Sequence, residues 1–155
     1  MAGLSRMGGL KKVLLTLTLL ILGSSVIAMP QFRLTAIQQL HYDTLDPLWQ
    51  YSGKVMGCTF CHLNKQGGAP WNVFGQALQK GFAANPKSSF GDVLYAVLRA
   101  NDDSDGDGYP DAVEVFARTL PGDPSSHPDR PLAELEQAFV AAGGVELYAA
   151  RKAGK

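Results

Sequence analysis

Cys58 and Cys61 are the only cysteines in the chain, and His62 directly follows the second. The spacing sets two thiols one helical turn apart with an imidazole beside them. The start of the chain adds a constraint of compartment. A basic stretch with Arg6, Lys11 and Lys12 leads into the apolar run Val13 to Leu22, VLLTLTLLIL, and then into small residues at 23–28, GSSVIA. This reads as a secretory signal peptide over residues 1–28. Val26 and Ala28 fit the small-x-small cleavage rule, and the mature chain is expected to start near Met29. The apolar run is ten residues long, short of the roughly 20 needed by a spanning helix. No membrane span is therefore expected after cleavage, an uncleaved anchor being the alternative. A periplasmic or secreted chain meets an oxidising compartment, where free thiols rarely persist unused. The cysteine pair needs a use, and the fold has to be built around it.

Cys-x-x-Cys-His is the attachment signature of c-type haem. Two thiols add across the two vinyl groups of one macrocycle, and the adjacent imidazole supplies the proximal iron ligand. Three other uses of the pair were weighed. A thioredoxin-like redox pair needs a βαβ context, and no segment shows it. A zinc site commonly needs a second ligand pair, and no other cysteine exists. A disulfide across two residues closes too small a loop to stabilise much by chain entropy. Export agrees with haem, because attachment to such motifs takes place outside the cytoplasm.

The rest of the chain reads as short helices between Gly/Pro loops. Phe32, Leu34, Ile37 and Leu40 lie at roughly helical spacing in residues 31–40. Asp46-Pro47 marks a turn or helix start, and Leu48, Trp49, Tyr51 and Val55 lead into the cysteine motif. After the loop 64–70, NKQGGAP, the positions Trp71, Phe74, Leu78 and Phe82 predict a helix ending near Asn85-Pro86. Ser89 and Asp92 resemble a capping box ahead of a second apolar face, Phe90, Val93, Leu94, Val97 and Leu98. Residues 112–118 are helix-compatible. The four prolines of residues 119–131 forbid regular structure. Pro131 suits the first position of a last helix carrying Leu132, Leu135 and Phe139, and Gly143-Gly144 ends it. A short terminal helix after that is expected to fray. Sustained strand alternation is missing, so the fold class expected is all-α, with residues 29–155 as one domain.

The stretch 56–82, MGCTFCHLNKQGGAPWNVFGQALQKGF, resembles a small monohaem c-type cytochrome domain. Its Gly-Gly-x-Pro loop followed by Asn-x-Phe-Gly is similar to that of many exported bacterial haem proteins that also carry an acidic Asp-x-Asp-x-Asp-Gly segment. The likeness spans roughly residues 30–125. It implies a cytochrome c-like helical domain, electron transfer, Cys58 and Cys61 as attachment sites and His62 as proximal ligand. It also implies a redox partner protein and a haem maturation machinery. The sequence departs from the best-known pattern at the distal ligand. No Met follows Met56, so the candidates are His127, in a Pro-rich loop, and His41, with Lys65, Lys80 and Lys87 behind them.

Residues 103–114, DSDGDGYPDAVE, match every constrained position of a helix-loop-helix calcium loop. Asp103, Asp105 and Asp107 take positions 1, 3 and 5, and Gly108 takes the sharp turn at position 6. Tyr109 would offer its backbone carbonyl at position 7, Asp111 takes position 9, and Glu114 closes position 12. The segment also resembles thrombospondin type 3-like and dockerin-like loops, with Gly122-Asp123-Pro124 similar to a turn that trails them. Pro110 at position 8 has no N–H with which to pair a second loop. A lone, structural calcium is therefore expected.

Composition narrows the rest. Of the 14 basic residues three fall in residues 1–28, leaving 11 against 14 acidic ones. A mildly acidic product argues against nucleic-acid binding, which needs a basic stripe. No catalytic Ser/His/Asp arrangement, phosphate-binding Gly loop or His-Glu-x-x-His stretch is visible, so the expectation is an electron-transfer protein and not an enzyme. Two alternatives stay open. One is a haem-based sensor or peroxidase-like protein with an open distal site. The other is a calcium-stabilised binding module with a Cys58–Cys61 disulfide.

Overall fold

The computed structural model describes residues 30–42 and 56–150. The signal segment, the Asp46-Pro47 turn and the aromatic lead-in to the cysteine motif lie outside them. Five helices follow in order: α1 (Pro30–Gln39), α2 (Val73–Ala84), α3 (Phe90–Arg99), α4 (Asp111–Ala117) and α5 (Leu132–Ala142). Two 3-10 turns, Cys58–Phe60 and Gly144–Tyr148, complete the described residues. Among these residues the only extended pairing is a single bridge between His62 and Trp71, so the fold is all-α. No described helix is long and apolar enough to cross a membrane.

Each helix is delimited by the chemistry at its ends. Asn72 caps α2 by accepting from Gly75 N at 2.8 Å. Ser89 and Asp92 form the expected capping box: Ser89 Oγ accepts from Asp92 N at 3.1 Å, and Asp92 Oδ2 accepts from Ser89 N at 3.3 Å. Asp92 in the first turn and Arg99 in the last also complement the α3 dipole. Pro131 caps α5 from just outside, one residue earlier than expected. Gly143, at φ 120°, ends that helix in a conformation only glycine adopts freely.

α2 and α3 pack across Gly81, where an added Cβ would sit 2.7 Å from Val93 Cγ1. α1 lies on α3. Its Gln39 is buried but satisfied, donating to Gly91 O at 2.8 Å and Tyr148 O at 2.9 Å. Phe32 stacks on Phe90 with centroids 4.9 Å apart. The C-terminal carbonyls of α1 and the following turn are held by Arg118, which donates to Leu40 O at 2.9 Å and lies 4.3 Å above the Tyr42 ring. Of the apolar face expected on α1, Ile37 and Leu40 are buried, whereas Leu34 is 58% exposed. Ala36 and Gln39 take its place, because a 3.6-residue period brings 36, 37, 39 and 40 to one side. The core gathers Leu40, Phe60, Phe74, Leu94, Leu98 and Val115. Phe60 belongs to the cysteine motif, so that motif is part of the core.

Candidate functional site

The cysteine turn is anchored by its middle residue. Phe60 packs edge-on against Phe74 (5.4 Å) and Tyr42 (6.0 Å). Cys61 N and His62 N both donate to Cys58 O, at 3.2 and 2.9 Å. With Phe60 turned inward, Cys58, Cys61 and His62 stay half-buried at the edge of the core. The two thiols are not joined to each other. Burial, and secondarily the neighbouring Cys58, pushes the Cys61 thiol up to about 12. Arg33 Nη1 reaches Cys58 Sγ at 3.7 Å from α1.

His62 is oriented by the loop that follows it. Gly67 and Gly68, at φ 80° and 77°, turn the chain back, and Gly68 O lies 2.7 Å from His62 Nδ1. A carbonyl only accepts, so Nδ1 carries a proton, and in the neutral tautomer this leaves the lone pair on Nε2. The ring also rests on Trp71, with centroids 4.0 Å apart. An imidazole held this way is oriented as a metal-ligating histidine is, its second nitrogen donating to a backbone carbonyl. Two unpaired thiols and an available Nε2 form a donor set that fits a covalently attached haem.

Three residues of the Asn-x-Phe-Gly stretch explain why it accompanies the turn. Asn72 is 4% exposed. Its carbonyl caps α2, while its amide donates to Thr59 O at 3.0 Å and Phe60 O at 3.2 Å. Phe74 is the aromatic partner of Phe60. At Gly75 an added Cβ would fall 2.0 Å from Cys61 O. The described partners of the Asn72 side chain are loop and helix backbone. The packing role of Gly75 was not readable, because nothing local marks a glycine in the first turn of a helix as a close approach.

His41 and His127, the two distal candidates, each approach a backbone carbonyl. His41, at φ 58°, has Nε2 3.1 Å from Leu147 O. His127 sits exposed in the Pro-rich loop, with Nδ1 3.3 Å from Pro128 O. Lys65, Lys80 and Lys87 are exposed, and Met56 is buried in the core.

In the acidic loop, Asp103, Asp105 and Asp107 bring ligand oxygens within 4.8 Å of one another. Backbone N–H groups shape the loop. Gly106 N and Gly108 N donate to Asp103 at 2.8 and 2.9 Å, and Tyr109 N donates to Asp107 Oδ1 at 2.9 Å. Glu114, from α4, is fully buried, and its only donor shown is Thr119 Oγ1, 3.3 Å from Oε1. Glu114 Oε2, Asp105 Oδ2 and Asp107 Oδ2 are buried without a hydrogen-bond donor among the described residues. Burial, then the charges of Asp105, Asp107 and Asp111, pushes the Glu114 carboxyl up to about 9. Asp105 is raised by burial and by Asp107. Buried, mutually repelling carboxylate oxygens without donors fit a hard divalent cation, which satisfies oxygens and offsets their charge together.

Like Glu114, Asp111 lies outside the close group of Asp103, Asp105 and Asp107, and Ser104 N and Oγ donate to its two oxygens at 2.8 and 2.7 Å. Burial lifts its carboxyl to about 6, opposed by those Ser104 bonds. Tyr109 fixes its ring by donating its hydroxyl to Arg130 O at 2.9 Å. Ser104 and Thr119 were missed by the sequence reading, since neither falls on a ligand position of the loop. No protein-family model, curated protein or solved structure matches the chain.

Proposed function

We propose that this protein is an exported small c-type cytochrome that moves single electrons and is stabilised by one calcium ion. The observation that carries the reading is the 58–62 turn. Its two thiols are unpaired, and its imidazole is locked by Gly68 O with Nε2 left to donate. Haem would be held at Cys58 and Cys61, ligated by His62, and would supply the Fe(III)/Fe(II) couple. The protein's part is to fix the imidazole, pack Phe60 and Trp71 around the turn, and hold the attachment geometry. The cation would be held by Asp103, Asp105, Asp107, Asp111 and Glu114, with the Tyr109 carbonyl. Export rests on residues 1–28, and the expected partners are a redox protein and the haem maturation machinery.

The lack of any Met after Met56 favours one second reading, a sensor or peroxidase-like protein with an open distal position. A visible spectrum of the protein made in a haem-maturing periplasm separates the readings. Colour that survives acid–organic extraction is expected, and Cys58→Ala with Cys61→Ala should give a colourless product. Bands unmoved by carbon monoxide indicate a six-coordinate carrier, and shifted bands an open iron. A colourless wild type, or a normally coloured double variant, overturns covalent attachment.

A further inference from the structure

The acidic loop and the cysteine turn are far apart in sequence, yet one short segment touches both. After α4, residues 119–123 run back along the loop. Thr119 N donates to Glu114 O at 3.0 Å, and Thr119 Oγ1 donates to Glu114 Oε1. The backbone N–H of Asp123 donates to Leu120 O at 3.2 Å and also opposes the rise that burial and Asp107 give the Asp105 carboxyl. Between them Pro121 and Gly122 are buried. A Cβ on Gly122 would lie 2.6 Å from Cγ and Nδ2 of Asn72, so the Gly122 backbone rests directly on that carboxamide. The same carboxamide donates to Thr59 O and Phe60 O inside the cysteine turn.

We propose that Asn72 is a positioning residue through which the cation loop holds the 58–62 turn in the geometry its thiols and imidazole require. The proposal rests on reading the loop as a cation site and the turn as a haem site. With a cation bound, the Asp105 and Glu114 carboxylates are drawn together, and 119–123 stays pressed on Asn72. Without it the carboxylates repel, the segment eases away, and the carboxamide gains room to turn off the Thr59 and Phe60 carbonyls. The coupling is reciprocal: whatever loosens the turn weakens the cation by the same factor.

Asn72→Asp divides the residue's two tasks. Aspartate still accepts from Gly75 N as a helix cap, but it offers the Thr59 and Phe60 carbonyls no donor. The test uses the haem-loaded protein, with terbium luminescence to report ion binding and hydrogen exchange of residues 58–63 measured in calcium and in chelator. Exchange in α5 serves as the control for general loosening. In the wild type, chelation should speed exchange at 58–63 on the order of tenfold, shift the midpoint potential, and leave α5 unchanged. In Asn72→Asp the two conditions should agree within about twofold while terbium still binds. Gly122→Ala, which drives a methyl group into the carboxamide, should also lose the response, and it decides the matter if Asn72→Asp does not accumulate. A wild type that holds haem and terbium yet ignores chelation at 58–63 overturns the proposal alone. So does an Asn72→Asp protein that responds like the wild type. A wild type without covalent haem or without terbium binding overturns it together with the reading beneath it.

Discussion

Gly75→Ala should destabilise the protein by more than about 3 kcal/mol, although alanine is the better helix former. By propensity alone the change would stabilise α2 by about 1 kcal/mol. Geometry reverses the sign. The new Cβ would lie 2.0 Å from Cys61 O, 3.0 Å from Cys61 C and 2.9 Å from Trp71 Cε3. The first two are backbone atoms of the turn, and Cys61 O is already bound to Asn72 N at 3.1 Å. No rotamer change relieves that clash, so α2 and the turn must separate. Overpacking costs that side-chain motion can absorb run about 1–3 kcal/mol. A forced backbone shift lies at or above that range, a large share of a total near 5–15 kcal/mol. Gly81→Ala is the control, because its Cβ meets only side-chain atoms, the Val93 methyl at 2.7 Å and a Val97 methyl at 3.7 Å, and a side chain can move. Urea midpoints of the two variants should differ clearly, and Gly75→Ala should accumulate little coloured protein. Equal midpoints would remove the close approach of Cys61 O to α2 from the account.

The contrast between those two glycines shows what was legible in the sequence. Helix positions were readable because caps and periodicity are local: Ser89 with Asp92, and Phe74 with Leu78, announce themselves within a few residues. The Asn-x-Phe-Gly stretch was visible as a pattern, but the structural reason for it was not. That reason is a set of contacts from Asn72, Phe74 and Gly75 onto residues 59–61. In the acidic loop the order of carboxylates gave Asp103, Asp105 and Asp107 correctly as a converging group. Residue spacing could not show that Ser104 would claim Asp111, since a side-chain hydrogen bond depends on how the loop closes. Leu34 failed for a simpler reason: apolarity was counted where burial was decided by what α1 leans on.

Chelating calcium should lower the melting temperature by about 10 °C, and Glu114→Gln should abolish that response. A ligand at a hundred times its Kd stabilises the folded state by about 2.7 kcal/mol. At about 4 °C per kcal/mol for a domain of this size, the shift follows. Glu114 is the residue to change because it is fully buried, one of its oxygens has no donor among the described residues, and glutamine keeps both its shape and an acceptor for Thr119. The pH dependence gives a second signature in chelator. Folding raises the Glu114 carboxyl from 4.5 to about 9, so between those values the folded state holds a proton that the unfolded state has lost. This contribution is fully present below pH 4.5 and is lost as pH rises toward about 9. The chelated wild type should therefore melt at progressively lower temperature from pH 5 to pH 9. Glu114→Gln, which mimics the protonated side chain, should lack the part of that decline above pH 6, the remainder belonging to Asp111, whose carboxyl is raised to about 6. Calcium in turn should stabilise the wild type more at pH 8 than at pH 5, where protons compete for the same oxygens. Melting curves in calcium and in chelator at the two pH values test all of this. A chelated wild type whose stability is level across that range would mean that Glu114 is not the buried, uncompensated carboxylate at the centre of the loop.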